Sequence, residues 1–164
     1  MAEILTIQDF EGVNRVPQGQ YSNLQEYIDT YELVYLQKML GDELTDLFIA
    51  DLLNGVPQTD VYENIYSPFS LVLRGCVYRS FGLKEVLKGF INFHYRKDLE
   101  QQGTTVGTKI AKSENSENFT RSVKKLTVYN NSVRQYHAIQ AYIIEKKSDY
   151  EKFKGEELKV TSFI

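Results

Sequence analysis

The stretch at residues 24–52, LQEYIDTYELVYLQKMLGDELTDLFIADL, decides the fold. Its apolar residues recur at three- and four-residue steps through the first half, which is the spacing of a helix with one buried face. Ser22 and Gln25 fit a capping box at the start of that helix, and Gly41 is placed to end it in a left-handed conformation. Asp42 can cap a second helix directly afterwards. The stretch therefore predicts two helices joined by a short turn, an αα-hairpin.

Two further long helices are predicted downstream of this hairpin. The second helix of the hairpin ends near Asn54-Gly55, and its buried face is predicted to consist of Leu44, Leu47, Phe48 and Leu52. Helical spacing returns from Leu83 to about Gln101 and again from Phe119 to Ser148. Residues 56–81 match neither period cleanly, so either a short helix or a small β-hairpin fits them, and Ser67-Pro68 could open a helical turn there.

The composition predicts one mainly α domain with short extensions. The chain has 164 residues, 42% hydrophobic and 25% charged, which is enough for one hydrophobic core. Residues 1–20 show little periodicity and are interpreted as an extended N-terminal arm, with one turn capped by Thr6 and Asp9. The helical domain is placed at 21–154 and a C-terminal tail at 155–164. The polar stretch 103–118 predicts an exposed loop.

Several classes of protein are disfavoured by composition. No stretch reaches the length of apolar residues that a membrane span needs, and the N-terminus lacks the pattern of a signal peptide, which predicts synthesis in the cytoplasm. Cys76 is the single cysteine and is predicted to be a small buried residue rather than a nucleophile. The net charge of −3 is unlike that of proteins that grip duplex DNA.

No constellation of catalytic or metal-ligating residues stands out in the sequence. His94 and His137 each lack a second His or Cys at helical metal spacing. The carboxylates of Glu43, Asp46 and Asp51 are better explained as a solvated helix face than as an acid–base pair. The glycines near residues 103–107 lack the spacing of a phosphate loop. The sequence therefore predicts a protein that is not an enzyme, without a catalytic, cofactor-binding or metal site.

Two segments resemble a family of head–tail connector proteins of tailed bacteriophages, in particular phages of Bacteroidetes-type hosts. In that family a helix ends in the pattern Tyr-Leu-x-x-Leu-Leu-Gly, and here Tyr35, Leu36, Met39, Leu40 and Gly41 hold those positions. Residues 82–120, GLKEVLKGFINFHYRKDLEQQGTTVGTKIAKSENSENFT, resemble the second half of the family. There a Gly-Leu-Lys helix runs into a Thr-Gly loop and a Glu-Asn-Ser segment. The resemblance extends from about Gln8 to Phe153.

The resemblance implies a helical-bundle connector fold and a structural role. Such connectors form twelvefold rings below the portal protein, extend the DNA channel and support the next neck or tail ring, without cofactors or catalytic residues. The implied partners are further copies of the chain, the portal protein, and other neck or tail proteins. Genomic DNA would pass through the channel without specific binding, and no membrane is involved. The implied location is the head–tail interface of the virion, after synthesis in the host cytoplasm.

The family analogy also nominates two sets of contact residues. The tail would bind the portal by adding to a strand or filling apolar slots, through Leu158, Val160, Phe163 and Ile164. Alternatively, the tail folds back on its own subunit. The polar loop would face the channel or the next ring, through Thr104, Thr105, Lys109 and Lys112.

Two other classes of function remain open at this point. A helical adaptor module that binds a host protein partner would have the same composition, and it would not self-associate into a ring. A small enzyme or metal-binding helical protein is the third class, and metal analysis of the purified protein separates it from the other two.

Overall fold

The computed structural model describes residues 4–10, 23–102 and 114–161, and the side chains of 99–124 are not included in that description. The described chain is mainly α-helical, as predicted, with two small antiparallel sheets. None of its helices is long and apolar enough to cross a membrane. In chain order the elements are a 3-10 turn (Ile7–Phe10), α1 (Leu24–Leu40), α2 (Asp42–Asp51), β1 (Leu52–Leu53), β2 (Val56–Pro57), α3 (Asp60–Tyr66), β3 (Phe69–Leu73), β4 (Cys76–Ser80), α4 (Leu83–Gln102) and α5 (Glu114–Glu145).

The predicted αα-hairpin is confirmed as α1 and α2, which are separated by Gly41 alone. The left-handed cap predicted at Gly41 is wrong in its geometry. Its φ of 86° and ψ of 158° lie in an extended region that only glycine occupies readily. A Cβ atom there would also lie 2.9 Å from Cβ of Lys154, which crosses at this point. Asn23 precedes α1 without a side-chain capping bond, and Ser22 lies outside the described residues.

Residues 56–81 contain both a short helix and a β-hairpin, so the two alternatives left open by the sequence occur together. The helical turn predicted at Ser67-Pro68 is wrong. Ser67 follows the end of α3 with φ −81° and ψ 159°, the extended conformation that a residue before proline prefers. Pro68 then leads into β3, which pairs with β4 in antiparallel register from Phe69 opposite Ser80 to Leu73 opposite Cys76.

Both hairpins turn through two residues with positive φ. The values are 53° and 76° at Asn54 and Gly55, and 49° and 79° at Arg74 and Gly75. Positive φ at both central residues is the type I′ geometry, whose twist matches that of the paired strands. Asn-Gly is the usual sequence for this turn, whereas an arginine in the first position gives a much weaker signal. The turn sequence of the longer hairpin therefore does not predict that hairpin.

The core lies between α1, α4 and α5, with α4 in contact with both other helices. Phe90 and Ile91 of α4 and Tyr136 and Ile139 of α5 are fully buried there. Gly89 allows the close approach of α4 to α5, because a Cβ atom on it would lie 1.8 Å from Oγ of Ser132.

Residues 4–10 belong to this core rather than to a separate arm. Ile4, Leu5 and Phe10 are buried, and the backbone N–H groups of Ile4 and Leu5 donate to the Glu32 carboxylate at 3.3 and 2.8 Å. The predicted turn between Thr6 and Asp9 is present, since the Asp9 carboxylate accepts from the Thr6 N–H at 2.8 Å. Residues 11–20 of the expected arm lie outside the described residues.

Candidate interaction surfaces

Residues 154–161, here called the strap, run across the C-terminal end of α1. The backbone N–H of Lys154 donates to the carbonyl of Leu40 at 3.0 Å, and that of Glu156 donates to the carbonyl of Lys38 at 2.6 Å. The last carbonyls of a helix have no partner within the helix. The strap supplies donors to two of them, so it completes α1 from a distant part of the chain.

Two side chains of α5 reach the same place. The Tyr136 hydroxyl lies 2.6 Å from the carbonyl oxygen of Lys38 and 2.5 Å from that of Glu156, and its single proton is shared between them. Nε2 of Gln140 donates to the carbonyls of Met39 at 3.1 Å and Glu156 at 2.9 Å. Burial raises the pKa of Tyr136, so its hydroxyl keeps its proton and remains a donor at any ordinary pH. The end of α1, the strap and α5 are thus joined in one hydrogen-bonded cluster.

Close approach and a side-chain amide fix the path of the strap. A Cβ atom on Gly155 would lie 2.1 Å from the Met39 carbonyl oxygen, so only glycine fits there. Farther along, Asn130 forms paired bonds with the backbone of Thr161, donating at 2.8 Å and accepting at 2.9 Å. Hydrogen bonds therefore hold the strap to its own subunit at both ends.

An aromatic stack joins α1 to α4. The rings of Tyr31 and His94 lie 4.0 Å apart at 10°, and those of Tyr35 and Phe90 lie 4.0 Å apart at 2°. The Tyr35 hydroxyl and Nε2 of His94 are hydrogen-bonded at 2.7 Å. His94 is therefore a packed, partnered side chain. Desolvation by burial, with added repulsion from Lys97, holds its pKa below the ordinary value of 6.5.

An acidic and partly apolar surface covers α2 and the turn after it. Leu44 and Phe48 are buried as predicted, but the prediction for Leu47 is wrong, because its side chain is 49% exposed. Leu47 lies next in sequence to Asp46, on the solvent side of α2. We call this the acidic surface, and it consists of Asp42, Glu43, Asp46, Leu47, Leu53 and Val56, all exposed.

The outer side of the β3–β4 hairpin forms a second, basic surface. Alternation along the strands places one set of side chains toward α5, where the Phe69 ring lies 4.9 Å from that of Tyr142. The other set faces solvent. We call it the hairpin face, and it consists of Val72, Val77, Arg79 and Phe81, all exposed. Cys76, predicted to be buried, is also exposed, because it lies at the end of the hairpin beside the turn.

No protein-family model, curated protein or solved structure matches this chain. Among the residues that the structure describes, no group of three or more His, Cys, Asp or Glu side chains could hold a metal ion. The acidic side chains of α2 have structural neighbours instead. Glu43 lies 3.3 Å from both Lys152 and Lys154, which lower its pKa through hydrogen bonds. Thr59 lowers the pKa of Asp51 in the same way.

The candidate portal-binding residues lie in different environments. Leu158 is partly buried against the core of its own subunit, whereas Val160 is 56% exposed. Phe163 and Ile164 lie outside the described residues, as do the loop candidates Thr104, Thr105, Lys109 and Lys112. The strap follows the alternative in which the tail folds back, and Val160 is its one large apolar side chain open to a partner within the described range.

The lowered pKa of His94 predicts a stability that decreases in mild acid. Below about pH 6.5 the unfolded chain binds a proton that the folded chain resists, so the free energy of unfolding falls as pH falls toward the folded pKa. Urea unfolding at about pH 7.5 and about pH 5.5 measures the difference. His94→Gln should reduce that difference, because it removes the group that resists protonation in the folded chain. An unchanged difference in His94→Gln would assign the pH dependence to other groups.

Proposed function

We propose that this protein is a structural virion protein that forms a ring at the head–tail junction of a tailed bacteriophage. The ring would join the portal to the tail or to the next neck ring and extend the DNA channel. The supporting observation is the pair of exposed, oppositely charged surfaces on one subunit, the acidic surface and the hairpin face. A ring needs two different complementary surfaces on every copy, since its interfaces are heterologous.

The resemblance of residues 24–52 and 82–120 to the connector family supports the same proposal. The finer fold assignment, a helical-bundle connector fold, rests on that resemblance together with the α1–α2 hairpin and the two long helices. The twelvefold symmetry is taken from the family as well. The partners proposed are other copies of the chain, the portal protein, and other neck or tail proteins. The proposal includes no reaction and no cofactor.

The charge of the chain suits a wall past which DNA slides. Tight binding to the phosphate backbone requires an excess of Lys and Arg, and the chain has a net charge of −3. A channel wall that does not bind phosphate tightly lets the genome pass during packaging and ejection. We therefore propose that DNA is a passing cargo without specific binding, and that the protein is located in the virion after synthesis in the host cytoplasm.

Co-expression with the portal protein of the same genome tests the proposal. Sedimentation velocity and negative-stain imaging should find a ring of this protein stacked on the portal ring. Absence of any association, both with the portal and by the protein alone at high concentration, would contradict the ring. It would favour the alternative of a helical adaptor that binds a host protein.

A test of whether the tail binds the portal needs a variant in which the strap stays attached to its own subunit. We expect Val160→Ser combined with Phe163→Ser and Ile164→Ser to lose the stacked ring on the portal, because apolar contacts at the tail are removed. Glu156 and Leu158, which contact the subunit itself, remain in place in this variant. A matched control carries Glu157→Ser and Lys159→Ser, two exposed neighbours. A stacked ring in the triple variant would assign portal contact to another surface.

A further inference from the structure

The hairpin face exposes three large apolar side chains to water. Val72 and Val77 face each other directly across the two strands and are 65% and 56% exposed. Phe81, which follows β4 directly, is 69% exposed. Contiguous exposed apolar side chains on a folded domain commonly mark a contact with another molecule. The hairpin face is therefore a candidate interface.

The hairpin is also positively charged. Within residues 67–82 the charged side chains are Arg74, in the turn, and Arg79, on the hairpin face. Arg79 lies opposite Ser70 on the outer side of the sheet, beside the pair of valines. A partner that fits this face must therefore combine apolar groups with negative charge.

The acidic surface of the same chain has that combination. The sequence of α2 contains four carboxylates and neither Lys nor Arg. Leu47 of the same helix, and Leu53 and Val56 of the short hairpin that follows it, are 49%, 60% and 46% exposed. Of the carboxylates, Asp42 and Asp46 are exposed and take part in no ion pair among the described residues. They remain available to an external cation.

The two surfaces do not cover each other within one subunit. The hairpin packs its inner side against α5, and the backbone N–H of Phe81 donates to Oε1 of Gln135 at 2.9 Å. The α2 helix instead packs against α1. Both outer surfaces remain exposed in the same subunit, so neither covers the other and each can meet another molecule.

We propose that the hairpin face of one copy of this chain docks on the acidic surface of the next copy. Val72, Val77 and Phe81 would contact Leu47, Leu53 and Val56, and Arg79 would pair with Asp46. The inference rests on the proposed ring and names the surfaces that build it. Because the contact joins two different surfaces, each copy offers one free surface of each kind, and repetition gives a ring when the rotation between neighbouring copies closes.

A second copy fits this face better than nucleic acid does. Two arginines on a hairpin provide few phosphate contacts, and three large apolar side chains beside them would gain nothing from the sugar–phosphate backbone. The acidic surface of a second copy offers both negative charge and apolar area. Because it belongs to the same protein, it is present at the same concentration as the hairpin face.

A charge-swap experiment tests the pairing. Arg79→Glu and Asp46→Lys, each alone, are expected to weaken self-association by about tenfold or more, because each places like charges across the contact. The double variant Arg79→Glu/Asp46→Lys should restore assembly, since the pair is present again with reversed polarity. Sedimentation velocity of the protein alone and with the portal measures the assembled fraction. Lys147→Glu, an exposed charge reversal outside both surfaces, is the control and should assemble normally.

A second variant tests the apolar part of the contact. Val72→Thr/Val77→Thr keeps the shape and the strand preference of both side chains and adds two hydroxyl groups. Because both positions are exposed in the subunit, the thermal unfolding midpoint of the dissociated subunit should not change. Self-association should weaken by about tenfold or more, since the hydroxyls would be buried in an apolar contact.

The outcomes separate this inference from the proposed function. Normal rings in Arg79→Glu, or single variants that lose assembly without rescue in the double variant, would overturn the hairpin–α2 contact, and the ring proposal would then rest on the connector resemblance and on the rings observed. Rings that persist in Arg79→Glu while stacking on the portal is lost would assign the hairpin face to the portal. A wild-type chain that never self-associates would overturn both.

Discussion

Phe90→Ala is expected to lower the free energy of unfolding by about 3–5 kcal/mol, the usual cost of removing a fully buried phenyl ring. Phe90 is 0% exposed and lies at the centre of the contacts among α1, α4 and α5. Its ring stacks on Tyr35 at 4.0 Å and meets Tyr129 and Tyr136 edge to face at 5.5 and 6.2 Å. The truncation leaves a cavity that these stiff rings cannot fill.

Urea or guanidinium unfolding of the dissociated subunit measures this effect. Phe81→Ala is the matched control, because the same change is made at a side chain that is 69% exposed. We expect it to alter the free energy of unfolding by no more than about 0.5 kcal/mol, while weakening self-association. A loss below about 1 kcal/mol in Phe90→Ala would mean that the three-helix core is not packed as described.

A chain that ends at Gly155 is expected to lose about 2–4 kcal/mol of stability, because several partly buried hydrogen bonds of about 1 kcal/mol each disappear together. Glu156 no longer donates to the Lys38 carbonyl, and its own carbonyl no longer accepts from Tyr136 and Gln140. The packing of Leu158 against the core is lost as well. Such a truncation therefore damages the subunit and cannot serve as a clean test of portal binding.

Denaturant unfolding of the truncated and full chains checks this value. Tyr136→Phe, which removes only the hydroxyl, should lose about 1–2 kcal/mol and so a part of the same effect. The exposed substitutions Glu157→Ser and Lys159→Ser keep the strap and should leave stability nearly unchanged. Equal stability of the truncated and full chains would show that the strap contributes nothing to the fold.

The helices were accessible to sequence reasoning because their apolar residues repeat over many turns. The α1–α2 hairpin is confirmed, since the periodicity breaks only at Gly41, and the two later long helices are confirmed in the described ranges. The error at Leu47 has a different origin. Three helical positions separate it from Leu44, so the pattern fits, but the helix buries the side of Leu44, Thr45 and Phe48 and leaves Leu47 toward solvent.

The surfaces could not be derived in the same way. The strap is recognised through main-chain carbonyls of α1, and such groups leave no trace in the residue types that surround them. The hairpin face alternates over five residues per strand and turns through Arg74-Gly75, which is a weak turn signal. Residue type alone does not distinguish its exposed valines from the valines of the core. Only the placement against α5 determines which side of the sheet faces solvent.

The strap also has a consequence for biosynthesis. Gln140 and Glu156 bind carbonyls at the end of α1, and the bond from Gln140 to Met39 joins residues 101 positions apart. When α1 and α2 of a nascent chain have left the ribosome, the N–H groups that bind the last carbonyls of α1 have not yet been synthesised. The α1–α2 hairpin is therefore finished only after residue 156 has been synthesised and has left the exit tunnel. Prematurely terminated chains would carry an α1 whose last carbonyls lack these donors.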